Sequence, residues 1–243
     1  MTLGKGMKRT ISGFSLKLPV RYYKYFPGDY ESDNFHFLKD HCKQGDVVID
    51  VGAHIGLFSV CAAQLTGANG KVYSFEPAPP TNALLKKTVS INHKQNIIEP
   101  RSEAVAEKEG TTFFYVSDTE GDNSNSLVSY RMDKKLDKVE VKITSVDNFV
   151  NAKQINKINF IKIDAEGYEC SVLKGAEQTF KEFRPVGILA LHPLGIESNG
   201  DSLDDIFDFL QKINYKIVYK DNLLDRNEFC SRNSLFDVHL IPN

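Results

Sequence analysis

The sequence predicts an α/β protein: a mostly parallel sheet covered by helices on both faces, a three-layer sandwich, with an inserted β-hairpin. Short apolar runs alternate with segments of helical periodicity along most of the 243 residues. Several runs are continuously apolar, which is typical of parallel strands that are buried on both faces. Residues 111–144 contain strand patterns with no helix between them, and this predicts an antiparallel hairpin inserted into, or added to, the sheet.

Each predicted element follows from its local pattern, taken in chain order. Strands are short apolar or alternating runs bounded by turn residues, and helices show apolar residues three and four apart. The last helix is the clearest, because Leu203, Ile206, Phe207 and Leu210 share one face. The predicted strands are 47–51, 71–75, 97–102, 112–116, 139–144, 160–163, 186–191, 216–219 and 236–241. The predicted helices are 35–41, 57–65, 81–92, 169–174, 178–181 and 203–212.

Composition indicates a globular protein without a general affinity for nucleic acid or lipid. Hydrophobic residues make up 41%, charged residues 26%, and the net charge is −2. No apolar segment approaches the ~20 residues that span a membrane, and the N-terminus lacks the apolar core of a signal peptide. The four cysteines form no CxxC pair. We therefore expect a cytoplasmic protein with reduced thiols and no membrane insertion. Its oligomeric state is not predicted.

Two segments lie outside the alternating pattern. Residues 1–44 precede the first clear strand and are predicted to be an N-terminal extension that packs on one domain, residues 45–243. Residues 117–138 are polar and rich in turn formers, which predicts a long surface loop with a lid as its candidate role.

The turn after the first strand reads DVGAHIG, residues 50–56. Its glycines, Gly52 and Gly56, permit positive φ and the close approach of a ligand. Val51 and Ala53 stand where the dinucleotide fingerprint GxGxxG needs glycine, which argues against an NAD(P)-binding reductase. An acid at the turn, Asp50, would repel a pyrophosphate but suits a ligand rich in cationic or hydroxyl donors.

Acidic side chains also end the neighbouring strands. Glu76 ends the second strand, where a carboxylate accepts hydrogen bonds from both hydroxyls of a ribose. The glycine turn, Asp50 and Glu76 together predict binding of S-adenosylmethionine (SAM). Taken alone, Glu76 could instead be an acid that favours a helix N-terminus.

The motifs resemble the FkbM family of SAM-dependent methyltransferases. The matching segments, in the family's order from about residue 28 onward, are GDYES (28–32), GDVVIDVGAHIGLFS (45–59), VYSFEPAPP (72–80), SEAVAEKEGTTFF (102–114), TSVDNFV (144–150), INFIKIDAEGYECSVLKGAE (158–177) and LALHP (189–193). The resemblance implies a class I, Rossmann-like methyltransferase fold with a seven-stranded sheet and one antiparallel strand at its edge. It also implies O-methylation of a sugar, glycolipid or polyketide-type hydroxyl. This chain departs from the family pattern at His54 and at Ala190.

The order of the strand ends assigns residues to parts of SAM. Gly52, Ala53 and Gly56 are predicted to face the methionine moiety, with His54 packed over the cofactor. Asp50 orients this turn or binds the amino group. Glu76, followed by Pro77, is predicted to bind the ribose. The end of the third strand, Glu103 and Ala104, is predicted to frame the adenine, and Asp164 to lie near the methyl and amino groups.

Three residues are candidates for catalysis. Asp164 directly follows a buried strand, and Glu166 and Glu169 follow within the same short segment, an arrangement also typical of a helix start. Asp164 or Glu166 is proposed to act as a base or as a ligand of Mg²⁺ or Ca²⁺; a divalent metal is possible here but is not predicted. His192 is an alternative base if its ring is neutral, or a rim residue bonded to a backbone carbonyl. The alternative function is a SAM-binding protein without catalysis.

Overall fold

The computed structural model describes residues 6–117 and 136–243. Its strands are β1 (Met7–Ile11), β2 (Phe14–Leu18), β3 (Val47–Val51), β4 (Lys71–Phe75), β5 (Ile98–Arg101), β6 (Ala104–Val105), β7 (Gly110–Ser117), β8 (Leu136–Thr144), β9 (Phe160–Ile163), β10 (Val186–Leu191), β11 (Tyr215–Tyr219), β12 (Asn222–Leu223) and β13 (Phe236–Pro242). Its helices are α1 (Ser32–His41), α2 (Leu57–Thr66), α3 (Pro79–Ile91), α4 (Val146–Ala152), α5 (Glu169–Lys174), α6 (Glu177–Phe183), α7 (Pro193–Ser198), α8 (Leu203–Lys212) and α9 (Arg226–Cys230).

The central sheet has the strand order β12-β11-β13-β10-β9-β3-β4-β5. Seven of these strands form the implied sheet, and two-residue β12 adds an eighth at one edge because it pairs with β11. The antiparallel strand β13 lies between β10 and β11, so its expected place at the edge is wrong. At the other edge, β5 tolerates Pro100 because an edge strand does not need every N–H.

The predicted hairpin exists, but it does not join the central sheet. Strands β7 and β8 pair antiparallel, and β6 pairs parallel with β8, so that the three form a sheet of their own. The predicted loop over 117–138, with its candidate role as a lid, lies almost wholly outside the described residues.

Two hydrophobic clusters lie on opposite faces of the central sheet. Alternate side chains of β3 pack into different clusters: Ile49 and Val51 belong to one cluster, and Val48 belongs to the other. The first cluster is covered by α4, α5, α6 and α8, and the second by α1, α2 and α3. This arrangement confirms the predicted three-layer α/β sandwich and explains why the strand sequences are continuously apolar.

The N-terminal segment packs into the second cluster. Ile11 and Leu18 of the β1–β2 hairpin and Phe35 and Leu38 of α1 are almost fully buried there. The predicted division at residues 44 and 45 stays a prediction. All four cysteines are free thiols. Among the described helices, none combines the length and apolar character needed to cross a bilayer.

Candidate active site

A cavity of about 620 Å³ lies where the parallel strands of the central sheet end. The residues that follow β3, β4, β9 and β10 all contribute to its lining, as expected for a ligand site in an open α/β sheet. The N-terminal segment adds Phe26, Tyr30, Glu31 and Phe35. Of the predicted site residues, those that line the cavity are Asp50, Gly52, Ala53, His54, Glu76, Pro77, Glu103, Ala104, Asp164, Glu166 and His192.

The turn after β3 requires glycine at its first position. Gly52 has φ +77°, and a Cβ there would lie 1.8 Å from the carbonyl oxygen of Asp164. The ends of β3 and β9 therefore touch backbone to backbone. Gly56, also at positive φ, is the N-cap of α2 and packs against Leu85, so it is not among the residues that line the cavity.

Asp50 is fully buried at the end of β3. Its Oδ2 accepts a hydrogen bond from Ser59, whose hydroxyl also contacts that of Ser74. Its Oδ1 is buried with no hydrogen-bond partner among the described residues. Burial raises the pKa of Asp50 to about 6, although Lys162 and the Ser59 hydroxyl lower it. An unsatisfied buried acceptor of this kind requires a donor from a ligand or a water.

Glu76 holds the turn after β3 and faces the cavity. Its Oε2 accepts the backbone N–H of His54 at 3.0 Å, and its Oε1 accepts that of Ala78 at 3.0 Å. Burial raises the pKa of Glu76 to about 7, because its effect is larger than that of the two hydrogen bonds, which lower the pKa. Each oxygen keeps acceptor capacity for a further donor. Burial lowers the pKa of His54 to about 4, so its ring is neutral near pH 7.

An ion pair between Lys162 of β9 and Asp164, the residue just after this strand, lies beside the end of β3. Lys162 of β9 lies opposite Asp50 in the sheet, and its Nζ donates to Asp164 Oδ2 at 2.8 Å. Burial would lower the pKa of Lys162, but Asp164, Asp50 and Glu31 raise it well above its usual range. Burial would likewise raise the pKa of Asp164, but Lys162 and His192 lower it. The lysine is therefore a fixed cation in the cavity.

Asp164, Glu166 and His192 converge at the ends of β9 and β10. His192 Nε2 lies 3.5 Å from Glu166 Oε2 and 3.8 Å from Asp164 Oδ1. On its other side, Nδ1–H donates to Glu169 Oε1 at 2.9 Å. Glu169 also accepts the backbone N–H groups of Ala165 and Gly167, so one buried carboxylate both folds the loop and orients the imidazole.

Two glycines bring these loops together. A Cβ on Gly167 would lie 2.7 Å from the carbonyl carbon of Gly195, the third residue of α7. This backbone contact between the loop after β9 and the start of α7 places Glu166 beside His192. It also explains how Glu166 keeps φ +49°, since its neighbours fix the loop on both sides.

The surroundings of His192 correct one expectation. Burial would lower the pKa of His192, but the hydrogen bond and charge of Glu169, with Glu166 and Asp164, raise it to about 9. The ring of the free protein is therefore charged near pH 7, and not the neutral imidazole expected of a base. Among the described residues the contacts of both ring nitrogens are with carboxylates, and not with the backbone carbonyl of the alternative.

Three residues of the site were missed by sequence reasoning. Lys162 had a visible signal, because it is a lysine inside an apolar strand, two positions from Asp164 and so on the same side. The role of Glu169 was missed because an acid in the first turn of a helix is common and does not by itself indicate a site. Asp237 of β13 lines the cavity and accepts from Asn34 at 2.7 Å, which only the placement of β13 reveals.

The lining is rich in carboxyl groups. Lys162 is the one lysine or arginine among the described residues that line the cavity. Seven acids line it: Glu31, Asp50, Glu76, Glu103, Asp164, Glu166 and Asp237. Such a lining attracts cationic ligands.

A profile of the FkbM methyltransferase domain matches residues 50–217, well over half of the chain. The chain belongs to the FkbM methyltransferase family. Membership confirms the predicted family, the class I fold and the enzyme class, a methyltransferase whose methyl donor is SAM. The matched segment contains Asp50, Glu76, Asp164 and His192, but not the N-terminal residues that line the cavity.

Two curated relatives, from two different organisms, are methyltransferases. The hexuronic acid methyltransferase AglP of Haloferax volcanii is 28% identical over 146 residues, 60% of this FkbM chain and 56% of AglP. The chain thus matches only about half the length of AglP. Methyltransferase sdnD of Sordaria araneosa is 24% identical over 197 residues, 68% of this chain and 76% of sdnD.

Solved structures support the fold. The methyltransferase FkbM of Methylobacillus flagellatus has a TM-score of 0.50 and 16% identity, with 87% of this chain and 51% of that chain covered. An rRNA methylase of Streptococcus thermophilus has a TM-score of 0.51 and 11% identity, covering 87% and 95%. At these identities the likeness shows the class I methyltransferase fold alone.

Proposed function

We propose that this protein transfers the methyl group of SAM to a hydroxyl of a sugar, glycolipid or polyketide-type acceptor. One observation supports it above the others: the residues assigned to the donor and the cluster of Asp164, Glu166 and His192 line a single cavity. The relatives add support, since AglP is a hexuronic acid methyltransferase. The acceptor is a small molecule or a glycan, with no nucleic acid in this proposal.

We expect four parts of the cavity to contact the donor. The unpaired Asp50 Oδ1 accepts the donor's ammonium group, which removes the cost of a buried unsatisfied acceptor. Glu76 accepts the two ribose hydroxyls with the capacity left after its backbone bonds. The Gly52–His54 turn borders the methionine moiety, while Glu103 and Ala104 frame the adenine. The sulfonium is attracted by the acidic lining.

Transfer needs an oxygen nucleophile in line with the methyl carbon and a group that accepts its proton. The carbon–sulfur bond breaks as the oxygen–carbon bond forms, and the sulfur leaves as a neutral thioether. A carboxylate of the cluster, Asp164 or Glu166, takes the hydroxyl proton. His192, held by Glu169, orients these carboxylates and balances their charge.

The test is methyl transfer from SAM labelled in its methyl group to a panel of hexuronic acid glycosides, neutral glycosides and polyketide alcohols. We expect label in a hydroxyl-bearing acceptor and an O-methyl signal in the product's NMR spectrum. Glu166→Gln should slow transfer about 100-fold, because the proton acceptor is removed, and leave SAM binding unchanged.

Two results would contradict the proposal. SAM binding by calorimetry with no transfer to any hydroxyl would favour the alternative of a SAM-binding protein without catalysis. Transfer of label to ribosomal RNA, included in the panel, would place the protein in a different substrate class.

The pKa of Glu76, about 7, predicts a pH dependence of donor binding. Ribose hydroxyls donate to the ionised carboxylate, so binding favours the deprotonated form. We expect SAM affinity to rise roughly ten-fold between about pH 6 and pH 8, because protonation of Glu76 competes below its raised pKa.

Calorimetry at several pH values measures this dependence, and Glu76→Gln should flatten it. Asp237→Asn is the matched control, because burial raises the pKa of Asp237 to about 6 in the same cavity. This variant should keep the slope of the parent. A slope that persists in Glu76→Gln would assign the titration to another group.

A further inference from the structure

The cluster of Asp164, Glu166 and His192 has the geometry of a metal site. One ligand atom from each residue lies within 4.8 Å of the other two. His192 Nε2 is 3.5 Å from Glu166 Oε2 and 3.8 Å from Asp164 Oδ1. A cation about 2.1 Å from each ligand holds neighbouring ligand atoms about 3 to 3.5 Å apart, so small side-chain movements would complete the site.

The second coordination sphere is already built. Glu169, fully buried, accepts the Nδ1–H of His192 and so turns Nε2 toward the two carboxylates. A carboxylate behind a ligating imidazole is the usual device for fixing its tautomer and orientation. Lys162 binds Asp164 through Oδ2, while Oδ1 faces His192. Two of the three ligands, His192 and Asp164, are thus held from the side away from the ion.

The charge of the cavity points independently to a cationic ligand besides SAM. Seven carboxyl groups line it against the single lysine, Lys162, among its described lining residues. SAM, with a sulfonium, an ammonium and a carboxylate, brings a net charge of only about +1 near pH 7. Because the carboxyl groups of the lining still outnumber Lys162, the charged His192 and the bound donor, the cavity favours a further cation.

We propose that Asp164, Glu166 and His192 bind a divalent ion of the Mn²⁺ or Zn²⁺ type, which holds the acceptor hydroxyl; this role for the ion rests on the proposed function. Imidazole nitrogen with two carboxylates suits such ions better than Mg²⁺ or Ca²⁺, which the acidic sequence pattern suggested. Bound there, the ion lowers the pKa of the acceptor hydroxyl. With the ion bound, Asp164 and Glu166 are its ligands and no longer take the hydroxyl proton, which leaves to solvent. The oxygen takes the methyl group, and the sulfur departs as a thioether.

The experiment measures Mn²⁺ binding by electron paramagnetic resonance on the full chain, stripped with EDTA, with and without S-adenosylhomocysteine. We expect Mn²⁺ to bind more tightly than Mg²⁺. His192→Gln and Glu166→Gln should each weaken Mn²⁺ binding at least roughly 10-fold. Asp237→Asn is the matched control: it removes a lining acid outside the cluster and should leave Mn²⁺ affinity within about two-fold. Circular dichroism checks that each variant is folded.

Parent binding weaker than about 1 mM, or equal affinity in parent and cluster variants, would overturn the metal site. So would full methyl transfer by the stripped protein in EDTA, which at the same time would leave the proposed function standing. Conversely, Mn²⁺ bound through His192 and Glu166 without any binding of SAM would sustain the ion site and refute the proposed function.

Discussion

Gly52→Ala is expected to abolish donor binding and to destabilise the fold by about 4 kcal/mol. Its φ of +77° costs an alanine about 1–2 kcal/mol, and the new Cβ would lie 1.8 Å from the carbonyl oxygen of Asp164. The ends of β3 and β9 must then separate, which moves the turn that faces the donor. We expect SAM affinity to fall at least roughly 100-fold, measured by calorimetry, and the Tm to drop by roughly 10 °C.

Gly45→Ala is the matched control for this experiment. Gly45 has φ +83°, but a Cβ there meets nothing within 4 Å. The free energy of unfolding of Gly45→Ala should be lower than that of the parent by only about 1–2 kcal/mol, the cost of the backbone conformation. This variant should bind SAM like the parent. Equal losses in the two variants would mean that the contact between Gly52 and Asp164 constrains neither the fold nor the donor site.

Asp164→Asn is the second change with a large expected effect. It leaves the charged Lys162, only 6% exposed, without its hydrogen-bonded carboxylate. Removing one partner of a buried pair costs about 3 kcal/mol, because the remaining charge stays desolvated. Urea unfolding in EDTA measures this loss. Methyl transfer should fall at least about 100-fold, since Asp164 belongs to the proposed catalytic cluster.

The double variant Lys162→Met, Asp164→Asn separates stability from catalysis. Replacing the lysine removes the unpaired charge, so most of the free energy of unfolding should return while methyl transfer stays low. Asp237→Asn, which changes another acid of the lining, should cost less than about 1 kcal/mol. If the double variant is no more stable than Asp164→Asn, the ion pair is not the source of the loss.

The central strands were predictable because their signal is local. β3, β4, β9 and β10 begin and end at the predicted residues, since each is a short, mostly apolar run bounded by turn residues. The helix α8 also has its predicted bounds, with Ser202 and Asp205 forming a capping box at its start. The β1–β2 hairpin was missed although the apolar residues of β2 alternate with polar ones, and two-residue β12 is too short to carry a period.

The candidate site was only partly accessible from the sequence. Acids at strand ends pointed to Asp50, Glu76 and Asp164, because parallel strands bring their carboxyl ends to one edge. Sequence spacing did not reveal that Glu169 binds His192, since this contact depends on Gly167 packing against Gly195. The charge of His192 depends on the same contact, which is why a neutral ring was expected.

The acidic lining has a consequence for turnover. A methyl donor enters with a sulfonium, whereas the spent molecule leaves with an uncharged sulfur. Every reaction cycle therefore moves one positive charge from the sulfur of the donor to the hydroxyl proton of the acceptor, inside a space lined by seven acids and one lysine. The acidic lining attracts the sulfonium of the donor but not the uncharged sulfur of the product. The product should therefore bind more weakly than the donor, which limits product inhibition and favours product release.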